Sequence, residues 1–445
     1  MEMREGNLWK NILIYSLPLM FSNLLQVFFN MADVAVVGKF AGSIAMGGVG
    51  STSLLVVLTT GFLIGMSNGV NALTALFIGA GEKKNEKAAV HTGFLLSAGI
   101  GIIVLSAGLI LSRPVLTLLG TKDELMAEAL SYFRIYMLGS PALALYNFGN
   151  AVLSAAGDTR KPLRFLTIAG ILNVVLNLVF VIGFGMTASG VALASIIAQY
   201  LSAVLILQDL LRTKEDYRLS PADLHFDGTI AARILRISVP AAVQYSLFSI
   251  ANLFVQSAVN SFDHVVVEGN SAAMNLDAFV YDTMAAFYTA CTSFVAQNFG
   301  AGKPNRVKKT YAITTIYSFG WSLALGLLIY AFRTPILYLF TNDADVVAMG
   351  TIRLAIMSLS YCVSAFMDNA TAACRGLGRT AVPTVFIILG TVVFRIVWIY
   401  TVFAYFGTMQ SLYLLYVCAW VLTAAAENIY LYAISGKMLM PHMKT

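Results

Sequence analysis

Long apolar stretches, separated by short polar loops, run along almost the whole chain. Apolar stretches of about 18 or more residues with few charges are typical of membrane-spanning helices. The pattern therefore predicts an all-α integral membrane protein with twelve transmembrane helices. These spans cover about residues 11–36, 51–78, 90–112, 130–156, 161–184, 189–211, 233–261, 271–299, 309–332, 352–375, 381–406 and 411–434.

The two halves of the chain carry the same landmarks in the same order. A Gly-Ala-Gly triplet ends an apolar run at Gly79 and another at Gly300, an offset of 221 residues, and a basic loop follows each. Such a constant register indicates an internal duplication. Further pairs at offsets of 221 or 222 are Pro18 with Pro240, Asn30 with Asn252, Pro114 with Pro335, Gly157 with Gly378, and Pro162 with Pro383.

The duplication predicts two pseudo-symmetric six-helix lobes. Residues 1–211 form the N-terminal lobe, residues 212–232 a cytoplasmic linker and residues 233–445 the C-terminal lobe. Six spans per lobe is an even number, so both lobes enter the membrane in the same orientation and the repeat is parallel. Each Gly-Ala-Gly is predicted to end the second helix of its lobe at the cytoplasmic face, because glycine tolerates the left-handed conformation.

Composition and charge agree with a membrane protein. Of the 445 residues, 58% are hydrophobic and 11% charged, against about 25% charged in average soluble proteins. The net charge of +6 does not indicate nucleic-acid binding, because 21 of the 28 Lys and Arg residues lie in loops on one predicted side. The positive-inside rule makes that side cytoplasmic and places both termini there.

No motif for ATP-driven transport or catalysis is present in the sequence. The phosphate-binding pattern GxxxxGK[ST] is missing, and the four histidines are scattered, without a Ser/His/Asp or metal-ligand cluster. We therefore expect neither an enzyme nor a bound cofactor, although active-site residues need not be adjacent in sequence. A duplicated helical bundle without these motifs favours a secondary transporter, with its sites near mid-membrane.

Six motifs, in order, resemble the multidrug and toxic compound extrusion (MATE) transporters of a flippase-like superfamily. They are VFFNMADVAVVG after Pro18, GVNALTALFIGAG, AAGDTRKP, LNVVLNLVFVIGFGM, FVAQNFGAGKPNR and MDNATAACRGLGRT. The resemblance covers essentially the whole chain. It implies two lobes that form a V, and export of small amphipathic, often cationic, compounds in exchange for H⁺ or Na⁺. We expect a monomer in the cell membrane, in contact with lipids.

Asp33 is the leading candidate for the coupling ion. A carboxylate in a membrane span costs about 2.5–3.5 kcal/mol, so such residues are usually functional. Asn173 and Asn177 stand four residues apart and share a helix face, and Ser195 lies in the next span. The resemblance implies an ion site at these four positions. Alternatively, Asp33 caps its helix or lies in the outer headgroup region, and the other three are polar contacts between helices.

This chain departs from the family pattern at the implied ion site. Family members carry Asp, Asn, Asp and Thr at these positions, whereas this chain has Asn177 and Ser195 at the last two. Four oxygen-bearing side chains could still hold Na⁺, but one carboxylate in place of two predicts weaker cation binding. A proton needs Asp33 alone, which favours H⁺.

A second group of candidates lies in the C-terminal lobe. Asp368 matches a coupling acid of some family members, but the seventh span offers Gln244 where those members have a glutamate. The alternative for Asp368 is an ion pair with Arg375 or Arg395. Arg395 lies mid-span and is predicted to have a carboxylate partner, either Asp368 or Glu427.

The eighth span carries two further acids. Asp282 lies deep enough to line the cavity, whereas Asp277, near the predicted outer end, is expected to be solvated.

These observations leave three hypotheses open. The leading one is a cation-coupled exporter that works by alternating access. The alternative is a lipid-linked oligosaccharide flippase of the same superfamily, which needs a cationic cavity, whereas the deep charges here are mostly acidic. A non-transporting scaffold or receptor has little use for buried acids.

Overall fold

The computed structural model describes residues 2–439 of the chain, with side chains to residue 436. Two residues discussed for their charge, His442 and Lys444, lie outside this range. All regular secondary structure in the described residues is helical, as predicted. The α-helices are α1 Leu8–Val36, α2 Gly42–Ala80, α3 Lys83–Leu118, α4 Asp123–Met137, α5 Ser140–Ala155, α6 Arg160–Leu178, α7 Ala188–Arg212, α8 Gly228–Val259, α9 His264–Gly300, α10 Pro304–Leu337, α11 Ala344–Gly376, α12 Ala381–Ile387, α13 Phe394–Trp398, α14 Ala404–Phe406 and α15 Met409–Leu439.

Nine continuous helical stretches in residues 2–439 are long and apolar enough to cross a membrane. One of them, Leu8–Ala80, contains two predicted spans. The predicted spans outside the nine are the fourth, which is broken into α4 and α5, and the eighth, which forms the 37-residue helix α9. The fold is therefore consistent with twelve transmembrane helices.

Two predicted spans differ from uninterrupted α-helices. The fourth is broken between Met137 and Ser140, because Pro141 has no backbone N–H and favours the first turn of a new helix. The eleventh contains two π-helical turns, Ile388–Val393 and Ile399–Phe403, which lie on either side of α13. Neither interruption changes the apolar pattern of the sequence, so hydropathy could not reveal them.

The two Gly-Ala-Gly triplets end helices, as predicted. The first triplet closes α2, and its last glycine, Gly81, has a φ of +70°. The second closes α9, and its last glycine, Gly302, has a φ of +65°. Residues with a side chain rarely adopt this left-handed conformation, so both repeats use glycine at the same step.

The described chain divides into two compact units. The first contains residues 21–245, and the second contains residues 2–20 and 246–439. Each unit therefore includes the beginning of the other half's first helix, because the boundaries fall inside α1 and α8. The predicted lobes 1–211 and 233–445, with their linker 212–232, stay a prediction.

In the first unit, α2 packs against α3, α4 and α5, and α7 packs against α4, α5 and α6. Apolar side chains such as Phe77, Phe148 and Ile206 form its core, together with Ile234 from the beginning of α8. The segment between α7 and α8 is also fixed in place. Its Ser220 backbone N–H donates to the His91 Nε2 of α3 at 3.2 Å.

In the second unit, α11 is central and packs against α9, α10 and α15. Residues 2–20 join this unit through apolar contacts, in which Met3 and Tyr15 are buried with Phe294 of α9. Arg306 fixes the beginning of the chain, because its guanidinium donates to the backbone carbonyls of Met3, Glu5 and Gly6 at 3.1–3.2 Å.

The tight contact between α10 and α11 gives a testable prediction. A Cβ on Gly326 would lie 2.0 Å from the carbonyl oxygen of Ser358, whereas a Cβ on Gly320 of the same helix would meet nothing within 4 Å. We expect Gly326→Ala to lower the free energy of unfolding by about 1–3 kcal/mol through overpacking. Gly320→Ala should be neutral or stabilising by up to about 1 kcal/mol. Thermal unfolding of both variants in detergent tests this, and equal stabilities would contradict the close packing.

Candidate functional site

Asp33 lies on α1, half-buried, three residues before the π-helical turn Val37–Ala41. Its carboxylate accepts two hydrogen bonds from other helices. The Asn177 Nδ2 donates to Asp33 Oδ1 at 2.5 Å, and the Ser195 Oγ donates to Asp33 Oδ2 at 3.2 Å. The carboxylate therefore joins α1, α6 and α7 within the first unit.

The other polar side chains of this cluster are hydrogen-bonded to one another. The Asn177 Nδ2 also contacts Asn173 Oδ1 at 3.3 Å, and the Asn173 Nδ2 donates to Ser195 Oγ at 3.3 Å. All three residues are buried, with 0–7% of their surface exposed. The structure thus brings together the four predicted residues, Asp33 included, and we call them the Asp33 cluster. Their role in ion coupling stays a prediction.

The Asp33 cluster holds one formal negative charge without a cationic partner. Asp33 forms no ion pair with any described side chain. The buried Asn177 Oδ1 has no hydrogen-bond donor within the described part of the chain. A carboxylate, a free amide oxygen and a hydroxyl are the ligands that a hard cation prefers. The cluster could therefore take up a proton at Asp33, or a small cation among its oxygens.

Asp368 and Glu427 are both buried in the second unit. The Thr371 Oγ1 lies 2.8 and 2.9 Å from the two carboxylate oxygens of Glu427 and can donate to either. Thr371 is on α11, three residues after Asp368, whose Oδ2 has no hydrogen-bond partner among residues 2–436. These acids are held by neutral groups, so the predicted pairing of either one with Arg395 is absent.

The prediction of a carboxylate partner for Arg395 is wrong. The side chain is 1% exposed, and its Nη1 donates to Asn252 Oδ1 at 3.0 Å. Its guanidinium also lies 4.4 Å from the ring centre of Tyr416 and 5.7 Å from that of Phe248. Aromatic faces and an amide oxygen attract a cation without carrying a charge. In the described residues they take the place of the expected ion pair.

The prediction that Asp277 is solvated is also wrong. Asp277 is 6% exposed, and its Oδ2 accepts from the Nε and Nη2 of Arg353 at 2.9 and 2.5 Å. The Arg353 Nη1 donates to Asn270 Oδ1 at 2.8 Å, and Tyr413 lies under the guanidinium. The sequence analysis missed this pair because α11 begins eight residues before the predicted span. Opposite charges in the eighth and tenth apolar segments were the available signal.

Two further predicted residues lie apart from these clusters. Asp282 is half-buried on α9 in the second unit. Gln244 is buried on α8, at the end of the first unit. Nothing in their printed contacts assigns either residue to an ion site, so their roles stay predictions.

Comparison with known proteins identifies relatives of this chain. The model of the MatE family matches residues 18–179 and again residues 240–401. The two matched segments stand 222 residues apart, which confirms the internal duplication.

Among curated proteins, a probable multidrug resistance protein YpnP of Bacillus subtilis is 29% identical over 81% of this chain and 80% of its own length. A FAD transporter of Shewanella oneidensis is 24% identical over 79% of this chain and 78% of its own length.

The fold is shared with solved structures. An outward-facing conformation of a multidrug resistance MATE family transporter of the MOP superfamily superposes with a TM-score of 0.91 at 21% identity. That comparison covers all of this chain and 98% of the other. The names of these relatives describe transporters rather than enzymes, and they do not favour a lipid-linked oligosaccharide flippase.

The pair of Asp277 and Arg353 gives a second prediction. Removing one partner leaves an uncompensated buried charge, which costs about 3–5 kcal/mol. We expect Arg353→Leu to lower the midpoint of thermal unfolding strongly. The double variant Asp277→Leu with Arg353→Leu should recover most of the loss, because no buried charge then remains. A double variant as unstable as the single one would contradict this account.

Proposed function

This chain belongs to the MatE family of multi-pass membrane transporters, and we propose that it is a secondary antiporter in which Asp33 binds the coupling cation. The cation enters as an amphipathic, often cationic, compound is exported by alternating access. The observation that carries this proposal is the Asp33 cluster: one carboxylate among apolar helices, held by two neutral donors and without a basic partner among described residues.

The hydrogen bonds of Asp33 give the bound cation a way to act on the helices. The ionised carboxylate accepts from Asn177 on α6 and from Ser195 on α7. A protonated carboxyl oxygen is a donor and cannot accept in the same geometry. Protonation therefore changes the bonds that join α1 to α6 and α7. Pro18 removes a backbone hydrogen bond from α1 and permits this helix to bend.

Coupling requires that the cation and the cargo stabilise different conformations. In this proposal the cation-bound Asp33 cluster favours one arrangement of α1, and cargo in the same lobe favours the other. The two ligands then exclude each other, and exchange follows from the ion gradient. Substrate binding and cation binding should consequently weaken each other by the same factor.

A proton is our preferred coupling ion. It needs one carboxylate, which Asp33 supplies, and a protonated Asp33 could donate to the Asn177 Oδ1 after the amide rotates. Na⁺ would use Asp33, Asn173, Asn177 and Ser195 together. The substitution of the family's second acid by Asn177 weakens that site.

The remaining features of the proposal concern placement and partners. We place both termini in the cytoplasm of the cell, because the basic loops lie on that side. We propose a monomer surrounded by membrane lipids, without a cofactor besides the coupling ion. One relative is named a FAD transporter, so we do not restrict the cargo to cationic drugs.

The first experiment on the coupling site replaces Asp33. Asp33→Asn keeps the shape of the side chain but cannot bind a proton or a cation at neutral pH. We expect gradient-driven efflux of a cationic dye such as ethidium to fall at least tenfold in proteoliposomes, while thermal stability is retained. The control is Asp263→Asn, an exposed acid before α9, which should leave efflux unchanged. Full transport by Asp33→Asn would remove Asp33 from the mechanism.

A second experiment identifies the ion. Proteoliposomes loaded with ethidium receive a pH gradient or a Na⁺ gradient separately. We expect the pH gradient to drive transport in the unaltered chain. Asn177→Asp restores a second carboxylate and should add or strengthen a response to Na⁺, because a more negative site binds cations more tightly. Transport driven by Na⁺ alone in the unaltered chain would show that Na⁺, and not H⁺, is the coupling ion.

A further inference from the structure

The duplication relates each residue of the Asp33 cluster to a position in the second repeat. The matched segments 18–179 and 240–401 align at an offset of 222 residues. At this offset Asp33 corresponds to Val255, Asn177 to Ile399 and Asn173 to Arg395. The second repeat has therefore lost the acid and gained a base at equivalent positions. The charge of these three positions is −1 in the first repeat and +1 in the second.

Arg395 differs from the other deeply buried arginine of its unit. Arg353 is compensated by the carboxylate of Asp277. Arg395 is equally buried, but its partners are the Asn252 amide and the rings of Tyr416 and Phe248. Its Nε has no hydrogen-bond partner in the described part of the chain. One full positive charge is thus left without an anion in an apolar setting.

Such a charge is costly to the folded protein, because burial of an ion without a counter-ion costs several kcal/mol. A residue with this cost is expected to have a function that requires it. Arginine binds carboxylate and phosphate groups through a planar set of N–H donors, often with two parallel hydrogen bonds. An anionic group on a ligand would supply the missing counter-charge.

The backbone around Arg395 is also specialised. The π-helical turn Ile388–Val393 ends two residues before Arg395. The equivalent residues of the first repeat, 166–171, lie in the regular α-helix α6. Isolated π-helical turns occur frequently at functional sites. This turn is therefore a change of the second repeat that accompanies the change of charge.

The guanidinium is covered by few side chains. Its hydrogen-bond acceptor, Asn252, is exposed, and Phe248, one turn earlier on α8, is half-buried. Rotation of these two side chains would uncover the nitrogen atoms without moving a helix. The Asn252 Oδ1 occupies the place on Nη1 that a ligand oxygen would take.

We propose that Arg395 is the centre of an anion-binding subsite in the second repeat, which takes a carboxylate or phosphate group of the transported molecule. Asn252 and Phe248 cover this subsite when no anion is bound. The subsite is the counterpart of the cation-binding Asp33 cluster, with the opposite charge. The proposal rests on the proposed transport function for the identity of its ligand, but its binding step can be measured separately.

The binding test uses two dyes that differ by one charge. Rhodamine B has a free carboxylate, and its ethyl ester has none. Fluorescence anisotropy with the full chain in nanodiscs measures the dissociation constant of each dye. We expect the carboxylate form to bind about tenfold more tightly or better, as a charge-assisted hydrogen bond predicts. Arg395→Gln should abolish this preference and Arg395→Lys should keep part of it.

The proposal is overturned if the unaltered chain shows no preference, including the case in which neither dye binds, or if Arg395→Gln keeps the preference. Asp33→Asn separates this proposal from ion coupling. That variant should lose gradient-driven transport and keep the preference for the carboxylate dye. Loss of the preference in Asp33→Asn and not in Arg395→Gln would also contradict an anion site at Arg395.

A second measurement needs no ligand. A structural arginine stabilises the protein, whereas one kept for a ligand is a burden in its absence. We expect Arg395→Gln to leave the thermal unfolding midpoint unchanged or raised. Arg353→Gln, the matched control with a buried carboxylate partner, should lower it clearly. A similar drop in both variants would assign Arg395 to the framework and overturn the proposal.

Discussion

The absence of water inside a bilayer is the constraint on which this structure depends. Backbone groups must find partners within the chain, so the described residues form helices with short connections. The same constraint makes each buried charge a separate energetic problem. The protein solves this problem in three ways: a carboxylate paired with a guanidinium at Asp277, a carboxylate held by amides and a hydroxyl at Asp33, and a guanidinium held by rings at Arg395.

The two repeats share a backbone plan but have acquired different chemistry. Both end their second helix with the same glycine conformation, at Gly81 and at Gly302. Polar interior positions have diverged instead, and the first repeat is acidic where the second is basic. Duplication gives two copies of a scaffold whose side chains can change independently. A transporter built in this way can treat its ion and its cargo with separate halves of one ancestral site.

The sequence predicted the helices and the Asp33 cluster for physical reasons that operate locally. Apolar run length determines whether a helix spans the membrane, and the spacing of Asn173 and Asn177 places both on one face of α6. The family resemblance supplied the remaining members. The break at Pro141 lay inside an apolar run and was not recognised.

Partners of buried charges could not be deduced in the same way. The cost of burial indicates that Arg395 needs compensation but does not say which group provides it. Rings and amides compensate in place of a carboxylate, and their arrangement depends on packing between helices distant in sequence. Arg353 was overlooked because α11 extends beyond its apolar run. Hydropathy shows where lipid begins and does not show where a helix ends.

The distribution of chain segments between the two units has a consequence for biosynthesis. Residues 2–20 pack within a unit whose other residues begin at Ser246. During translation the first segment emerges long before its packing partners exist, and it must wait for them in the membrane or at the translocon. The nascent chain therefore cannot complete either half in the order in which it is made. Severing the polypeptide between α7 and α8 would leave each fragment without a piece of its own interior.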